Sequence, residues 1–102
     1  MYDSLRGVLD EAFQQAASGK GSERHGNGLP FDQQPMQVIS DLLDSDAGML
    51  FQAIKKLQEG SRMTPEAARR EYLGAINYIA GVIVRMDRHK GIPESGEHRH
   101  TA

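Results

Sequence analysis

The long amphipathic stretch from Thr64 to about residue 88 constrains the fold of this chain more than any other feature. Thr64, Pro65 and Glu66 together give a typical helix start: an N-cap, a proline at the first helical position and an acid at the positive end of the helix dipole. Beyond them, apolar or small side chains recur at alternating spacings of four and three residues, namely Ala68, Tyr72, Ala75, Ile79, Val82 and Met86. This heptad seam predicts one long helix that packs against other helices, and therefore an all-α fold.

Three more segments carry the periodicity of shorter amphipathic helices. Residues 4–17 place apolar side chains on one face, which are Leu5, Val8, Leu9, Ala12, Phe13 and Ala16. A second helix is expected to begin near Pro35, with an apolar stripe of Met36, Ile39, Leu42 and Leu43. The third runs from about Ala47 to Glu59 and is expected to face inward with Leu50, Phe51, Ala53, Ile54 and Leu57.

These helices predict a small bundle of three or four helices, the last one long, that forms a single domain over residues 1–90. Residues 91–102 are polar and contain glycine, proline and mixed charges, which predicts a disordered tail. With 102 residues, 38% apolar residues and no tryptophan, the chain can build only a small core. We therefore expect a homo-oligomer, since a unit of this size buries little surface alone.

Two glycines within the long helix indicate that another group packs closely against the backbone of this helix. Gly74 and Gly81 stand seven residues apart, and each costs the helix roughly 1 kcal/mol relative to alanine. Three interpretations remain open from the sequence: a crossing with another helix of the same chain, an interface with a second copy, or a ligand against the backbone.

Charge and residue usage exclude several classes of function. The formal net charge of −2 disfavours a general nucleic-acid-binding protein, which normally carries a basic surplus. The absence of cysteine excludes a disulfide framework, a thiolate nucleophile and a cysteine zinc site. No signal peptide is predicted, and the longest apolar run, near Ile79–Val84, is too short to cross a bilayer. A cytoplasmic protein without a membrane partner is expected.

The basic glycine segment, which we define as residues 18–28, is the strongest candidate for chemistry. It contains four glycines, one acid and three potentially cationic side chains between two predicted helices. Glycine allows backbone N–H groups to converge on an anion, while lysine, arginine and histidine supply charge beside them. A solvated loop is the alternative, and the spacing is not that of a Walker A loop. The candidate ligand-binding residues of this segment are Gly19, Lys20, Gly21, Arg24 and His25.

Three residues outside this segment are secondary candidates for the same ligand: Lys56, Arg62 and Asn77. For the two cations the alternative is a solvated helix face. Asn77 lies among apolar neighbours, where its amide needs a partner; it either contacts a base or fixes the register of a helix pair.

A cluster of acids at residues 41–46 offers ligands for Mg²⁺, although helix capping accounts for Asp44 and Asp46 more simply. We predict no metal site and no cofactor. No combination of a nucleophile with a base is visible, so the sequence disfavours an enzyme.

Two resemblances bear on function. The run from Gly19 to His25, followed by Leu29, Pro30, Phe31, Gln34 and Pro35, resembles a pattern in small uncharacterised proteins of tailed bacteriophages and prophages. Later stretches at residues 52–56 and 73–78 look similar too. The chain more loosely resembles MazG-like all-α nucleotide pyrophosphohydrolases, which bind Mg²⁺ through paired acidic motifs. Here Glu71 is followed at the third position by Gly74, so that metal site is not carried over.

The residues and resemblances together lead to three functional expectations. The first is a phage-encoded, non-catalytic protein that binds a nucleotide-type anion, and that sequesters a nucleotide second messenger of bacterial immunity as an anti-defence function. The second is a helical inhibitor or adaptor that acts on a host protein complex. The third is a diverged nucleotide pyrophosphohydrolase.

Overall fold

The computed structural model describes residues 1–18 and 28–90, and within them the chain is helical with no strand. Its elements are α1 (Asp3–Ser18), a single 3-10 turn (Phe31–Gln33), α2 (Pro35–Leu43), α3 (Ala47–Gly60) and α4 (Pro65–Lys90). The predicted all-α class, with four helices of which the last is long, is confirmed. The predicted disordered tail at residues 91–102 lies outside the described residues.

The long helix α4 is the centre of the fold. α3 makes the most extensive contact with α4, because the short turn between Gly60 and Pro65 folds the two helices into a hairpin. α1 packs against α4 as well, and α2 contacts both α3 and α4. The 3-10 turn at Phe31 also packs against α4 and α2.

The two glycines of α4 serve crossings within the same chain. A Cβ atom on Gly81 would lie 2.9 Å from Met49 Sδ and 3.1 Å from Met36 Cε. A Cβ atom on Gly74 would lie 3.0 Å from Cδ of Lys56. Of the three interpretations that the sequence left open, the intrachain crossing is therefore the one that the structure shows at these positions.

A buried glutamine joins α2 to α4 at this crossing. Gln37 is only 1% exposed, and its Nε2 atom donates to the carbonyl oxygen of Gly81 at 2.8 Å. Its Oε1 atom accepts from Nη2 of Arg88 at 2.6 Å. Both ends of the amide are thus satisfied, which a buried polar side chain requires.

Large apolar side chains of two helices are exposed, although those of α3 were expected to face inward and those of α1 to share one face. In α1 they are Leu5, Leu9 and Phe13, and in α3 they are Leu50, Phe51, Ile54 and Leu57, with exposed fractions between 41% and 64%. The contact positions are taken by Ala12 in α1 and by Met49 and Ala53 in α3. For these large side chains of α3 the expectation was wrong, because the apolar arc is wider than one helix contact covers in a protomer of this size. Ala53 is buried as expected.

Candidate functional site

A slot between α2 and α3 is the candidate binding site in the described part of the chain. It has a volume of about 320 Å³ and opens to solvent. Its walls come from α2 and the residue before it, from the first half of α3 and from one side chain of α4. They consist of Gln34, Pro35, Met36, Ile39, Ser40, Gly48, Met49, Gln52 and Tyr78. We call this the α2–α3 slot.

The α2–α3 slot combines apolar walls with a few polar groups. Met36, Met49 and Ile39 provide flexible apolar surface, and the half-buried Tyr78 adds an aromatic ring. Burial raises the pKa of the Tyr78 phenol, so the hydroxyl stays protonated and available as a donor. Such a lining suits a flat, partly apolar ligand with several hydrogen-bonding atoms.

Several polar groups of the slot are available to a ligand. The Ser40 hydroxyl belongs to a residue that is only 3% exposed, and the Gln52 amide is half-buried. Within residues 1–18 and 28–90, neither side chain makes a hydrogen bond to another residue. Because no buried side-chain nitrogen or oxygen of the described residues lacks a partner, these two groups are accessible to solvent, and they can bind a ligand or water that enters the slot.

The slot is joined to the chain that leaves the basic glycine segment. Gln34, a wall residue, donates through Nε2 to the carbonyl oxygen of Leu29 at 3.0 Å. Leu29 follows Gly28, the last residue of the segment. Leu29, the first residue after the segment, therefore lies beside the slot. The candidates Gly19, Lys20, Gly21, Arg24 and His25 themselves lie outside the described residues.

Lys56 is the secondary candidate that the structure places beside the slot. Its Nζ atom lies 6.0 Å from the centre of the Tyr78 ring and 3.5 Å from Oε1 of Glu71. The side chain also runs along the backbone of Gly74. Lys56 thus supplies a partly exposed positive charge next to the aromatic wall.

Arg62 and Asn77 have other positions. Arg62 is exposed in the turn after α3, at the opposite end of that helix from the slot residues Gly48 and Met49. The Nδ2 atom of Asn77 donates to the carbonyl oxygen of Ala12 at 2.9 Å, which joins α4 to α1. Between its two interpretations, the structure shows Asn77 as a tie between helices.

The acids at residues 41–46 form an arginine–aspartate cluster, which we define as Asp41, Asp44, Asp46, Arg85 and Arg88. Arg85 is 7% exposed and reaches all three acids: Asp41 through Nε at 2.9 Å, and Asp44 and Asp46 through its terminal nitrogens at 3.2 Å. Arg88 adds bonds to both carboxylate oxygens of Asp41.

The expected capping roles of these acids hold by position but not by side-chain bonding: Asp46 is the N-cap residue of α3, and Asp44 is the C-cap residue of α2. Neither carboxylate makes the side-chain cap of a helix; at the start of α3 it is Ser45 Oγ that accepts from the backbone N–H of Ala47, at 3.0 Å. Asp44 instead ends α2 in a left-handed conformation with φ 52°. The two arginines offset two of the three negative charges, and their bonds to these acids attach the corner between α2 and α3 to α4.

The role of Arg85 was not predicted from the sequence, although the sequence contains a signal for it. Arg85 follows Gly81 by four residues, so it falls on the same face of α4 that the glycines mark as closely packed. A cation on such a face needs acidic partners from another element. The three acids between α2 and α3 were the available set.

Asp41 gives the cluster a measurable pH dependence. Hydrogen bonds from two arginines lower the pKa of the Asp41 carboxyl from 3.8 to about 2, and the bond from Arg88 has a larger effect than the bond from Arg85. A carboxyl with a lowered pKa in the folded state stabilises the fold above its unfolded pKa, and this contribution is lost as the pH falls toward the folded pKa. We expect the melting temperature of the wild type to exceed that of Asp41→Asn above pH 4, and the difference to shrink between pH 4 and 2.

Thermal unfolding of both proteins across this range, followed by circular dichroism, measures that difference. Other acids titrate in the same window, but they do so in both proteins and therefore cancel. A difference that stays constant from pH 5 to pH 2 would contradict the assigned role of Asp41.

The described residues contain no group of three histidines, cysteines or acids placed to hold a metal ion. None of the helices within the described ranges has both the length and the hydropathy needed to cross a membrane.

No protein-family model, curated protein or solved structure matches this chain.

Proposed function

We propose that this protein binds a small nucleotide-type anion without transforming it. The observation that carries the proposal is the α2–α3 slot, whose wall residue Gln34 is bonded to the chain that leaves the basic glycine segment. An apolar, amide-lined slot and a cationic, glycine-rich segment are the two parts that a nucleotide requires, one for the base and one for the phosphate.

The slot suits the base. Its volume of about 320 Å³ lies at the small end of the range of roughly 300–1,000 Å³ found for ligand pockets, which favours one base with its sugar over a larger ligand. The Tyr78 ring offers a stacking surface, worth roughly 1–3 kcal/mol per base at aromatic sites. Ser40 and Gln52 supply hydrogen-bonding groups for the polar edge.

The basic glycine segment supplies the phosphate contacts in this proposal. Lys20 acts as a point charge, Arg24 as a bidentate fork, and His25 as an added donor. Gly19 and Gly21 contribute backbone N–H groups. Lys56, beside Tyr78, adds positive charge at the slot itself, whereas Arg62 and Asn77 lie at other places in the fold.

Binding without turnover amounts to sequestration. The resemblance to proteins of tailed phages makes the nucleotide second messengers of bacterial immunity the first compounds to test. In that setting the protein acts as an anti-defence factor in the cytoplasm of the host cell.

A thermal-shift screen in the presence of EDTA tests the proposal. The probes are mononucleotides, linear dinucleotides, cyclic dinucleotides and inorganic phosphate. A ligand at about 100 times its dissociation constant stabilises the protein by roughly 2.7 kcal/mol, a shift that is easily measured. Stabilisation by at least one nucleotide, and a weaker effect of phosphate alone, is expected. No shift with any nucleotide would overturn the proposal.

Matched variants then separate the two halves of the site. Gln52→Leu changes the slot wall and is expected to weaken nucleotide binding, whereas Gln58→Leu makes the same change at an exposed position of α3. Lys20→Ala is expected to weaken binding with little loss of helicity, whereas Lys55→Ala removes an exposed lysine that pairs with Glu59. If both members of each pair bind alike, the site lies elsewhere.

The adaptor alternative has one specific observation in its favour. Val38, Leu42 and Leu43 of α2 are exposed by 49%, 80% and 66%, which gives this helix an apolar surface. A protein without any nucleotide ligand, whose effect on a host complex is lost in Leu42→Lys, would favour this alternative. Turnover that requires Mg²⁺ would instead favour the diverged hydrolase.

A further inference from the structure

A stripe of large apolar side chains runs along α4, and residues 1–18 and 28–90 leave it partly exposed. Tyr72, Ile79, Ile83 and Met86 are exposed by 41%, 43%, 51% and 56%. At 3.6 residues per turn they fall within an arc of about 60° and extend over about 21 Å of the helix. We call these four residues the exposed stripe.

The exposed stripe lies opposite the part of α4 that packs on Met49 and Met36, and it borders the buried Ala68 and Ala75. Gly81, which contacts Met49 and Met36, is about 180° round the helix from Tyr72. The ring of Tyr72 rests on Gly60 of α3, where a Cβ atom would lie only 2.7 Å away. One end of the stripe is therefore held in position by the hairpin of α3 and α4.

The spacing of the stripe indicates what covers it. Its members are separated by seven, four and three residues, the pattern by which one helix packs along another. A small ligand or a bilayer does not require this periodicity. The occupant is accordingly an α-helix that lies along α4.

The two ends of the stripe are placed symmetrically about Ile79, whereas Ile83 has no counterpart, because the position four residues before Ile79 is the buried Ala75. Tyr72 and Met86 each stand seven residues from Ile79. A two-fold axis through Ile79 and perpendicular to α4 therefore places Tyr72 of each copy against Met86 of the other. An aromatic ring against a thioether is a favourable pair, and such self-complementarity is what an interface between identical subunits requires.

Two residues of opposite charge beside the stripe are placed so that the same two-fold axis brings them together. Arg69 and Asp87 are eighteen residues apart, or five helical turns, so they lie on the same side of α4. An antiparallel copy brings Arg69 of each protomer close to Asp87 of the other. Among the described residues, Arg69 pairs with the exposed Glu11 and Asp87 pairs with the exposed Lys90, and exposed pairs contribute little.

We infer that two copies of this chain associate through their α4 helices, antiparallel, with Ile79 at the two-fold axis. The inference is independent of the proposed nucleotide site, which lies between α2 and α3. The interface uses the exposed stripe for apolar contact and the Arg69–Asp87 pairs for orientation.

Sedimentation equilibrium measures the association directly. The wild type is expected to form dimers, and Ile79→Glu combined with Ile83→Glu is expected to give monomers with unchanged helicity, because both residues are exposed in the protomer. The control Leu42→Glu changes an exposed leucine of α2 and is expected to leave the dimer intact. A wild type that stays monomeric at its highest soluble concentration would overturn the inference, as would a dimer that survives both glutamates.

The absence of cysteine from the chain allows a geometric test. Ile79→Cys places one thiol at the two-fold axis, so oxidation is expected to link two chains rapidly. Leu42→Cys, on α2, is expected to link slowly. Equal rates for the two variants would count against the axis at Ile79.

A charge exchange tests the orientation and the identity of the partner. Arg69→Asp and Asp87→Arg are each expected to weaken the dimer at low salt, and the double variant is expected to restore it. If the double variant forms dimers again without a second kind of chain, then positions 69 and 87 must meet across identical subunits. Without restoration, the antiparallel arrangement is wrong.

Discussion

Replacing Met49 with alanine is expected to lower the free energy of unfolding by ~2–5 kcal/mol, the range for truncating a buried methionine or leucine. Met49 is 2% exposed and is one of the largest fully buried side chains among the described residues. Its sulfur packs over Gly81 of α4, and Nε2 of Gln37 lies 3.7 Å from it. The truncation therefore leaves a cavity where α2, α3 and α4 meet.

Chemical denaturation of the variant, followed by circular dichroism, measures this loss. Met49→Leu nearly conserves the volume and is expected to cost less than about 1.5 kcal/mol. Met63→Ala truncates a methionine that is 41% exposed in the turn after α3, and it is expected to change stability little. Equal effects at positions 49 and 63 would show that Met49 is not the centre of the core.

Gly81→Leu is expected to destabilise the protein by ~1–3 kcal/mol through overpacking. Even a Cβ atom at this position would approach Met49 Sδ to 2.9 Å and Met36 Cε to 3.1 Å, and a leucine side chain extends much further. The added atoms force α4 away from α2 and α3, and they strain the bond between Gln37 and the Gly81 carbonyl. Denaturant titration again measures the change.

The matched control for this prediction is Gly7→Leu in α1. No atom lies within 4 Å of a Cβ atom built on Gly7, so the side chain has room. Leucine has a higher helix propensity than glycine, and the variant is expected to gain up to about 1 kcal/mol. The same substitution thus has opposite signs at the two sites. A gain at both positions would mean that the crossing at Gly81 is loose.

The sequence predicted the helices well because their signals are local. The start of α4 at Pro65 follows from the N-cap and proline pattern, and Thr64 Oγ1 accepts from the N–H of Ala67 at 3.4 Å as an N-cap does. The break between α2 and α3 also coincides with the run of aspartates and serine at residues 44–46. Such features depend on a few adjacent residues and need no knowledge of the tertiary fold.

The partners of each side chain could not be predicted in the same way. Periodicity assigns an apolar face, but it does not say whether the protomer covers that face, so Phe51 and Ile54 were expected to be inside and are exposed. The pairing of Arg85 with Asp41 joins residues that are 44 positions apart. Such pairs depend on how the helices cross, which no local pattern encodes.

The candidate site shows the same division. The basic glycine segment is recognisable from its residues alone, because glycine and cations in one short stretch have a specific chemistry. The α2–α3 slot was not predicted, since its walls come from three helices and include ordinary residues such as Pro35, Met36 and Gln52. Only the position of Gln34, which joins the slot to Leu29, relates the two.

The attachment of α2 at both ends has a consequence for recognition. The bond from Gln34 to Leu29 holds its beginning, and the bonds from Arg85 and Arg88 to Asp41 hold its end. The helix that forms one side of the cleft is thus already in place before any guest arrives. Little conformational freedom is then lost at that wall on complex formation, so preorganisation favours tight binding of a small molecule.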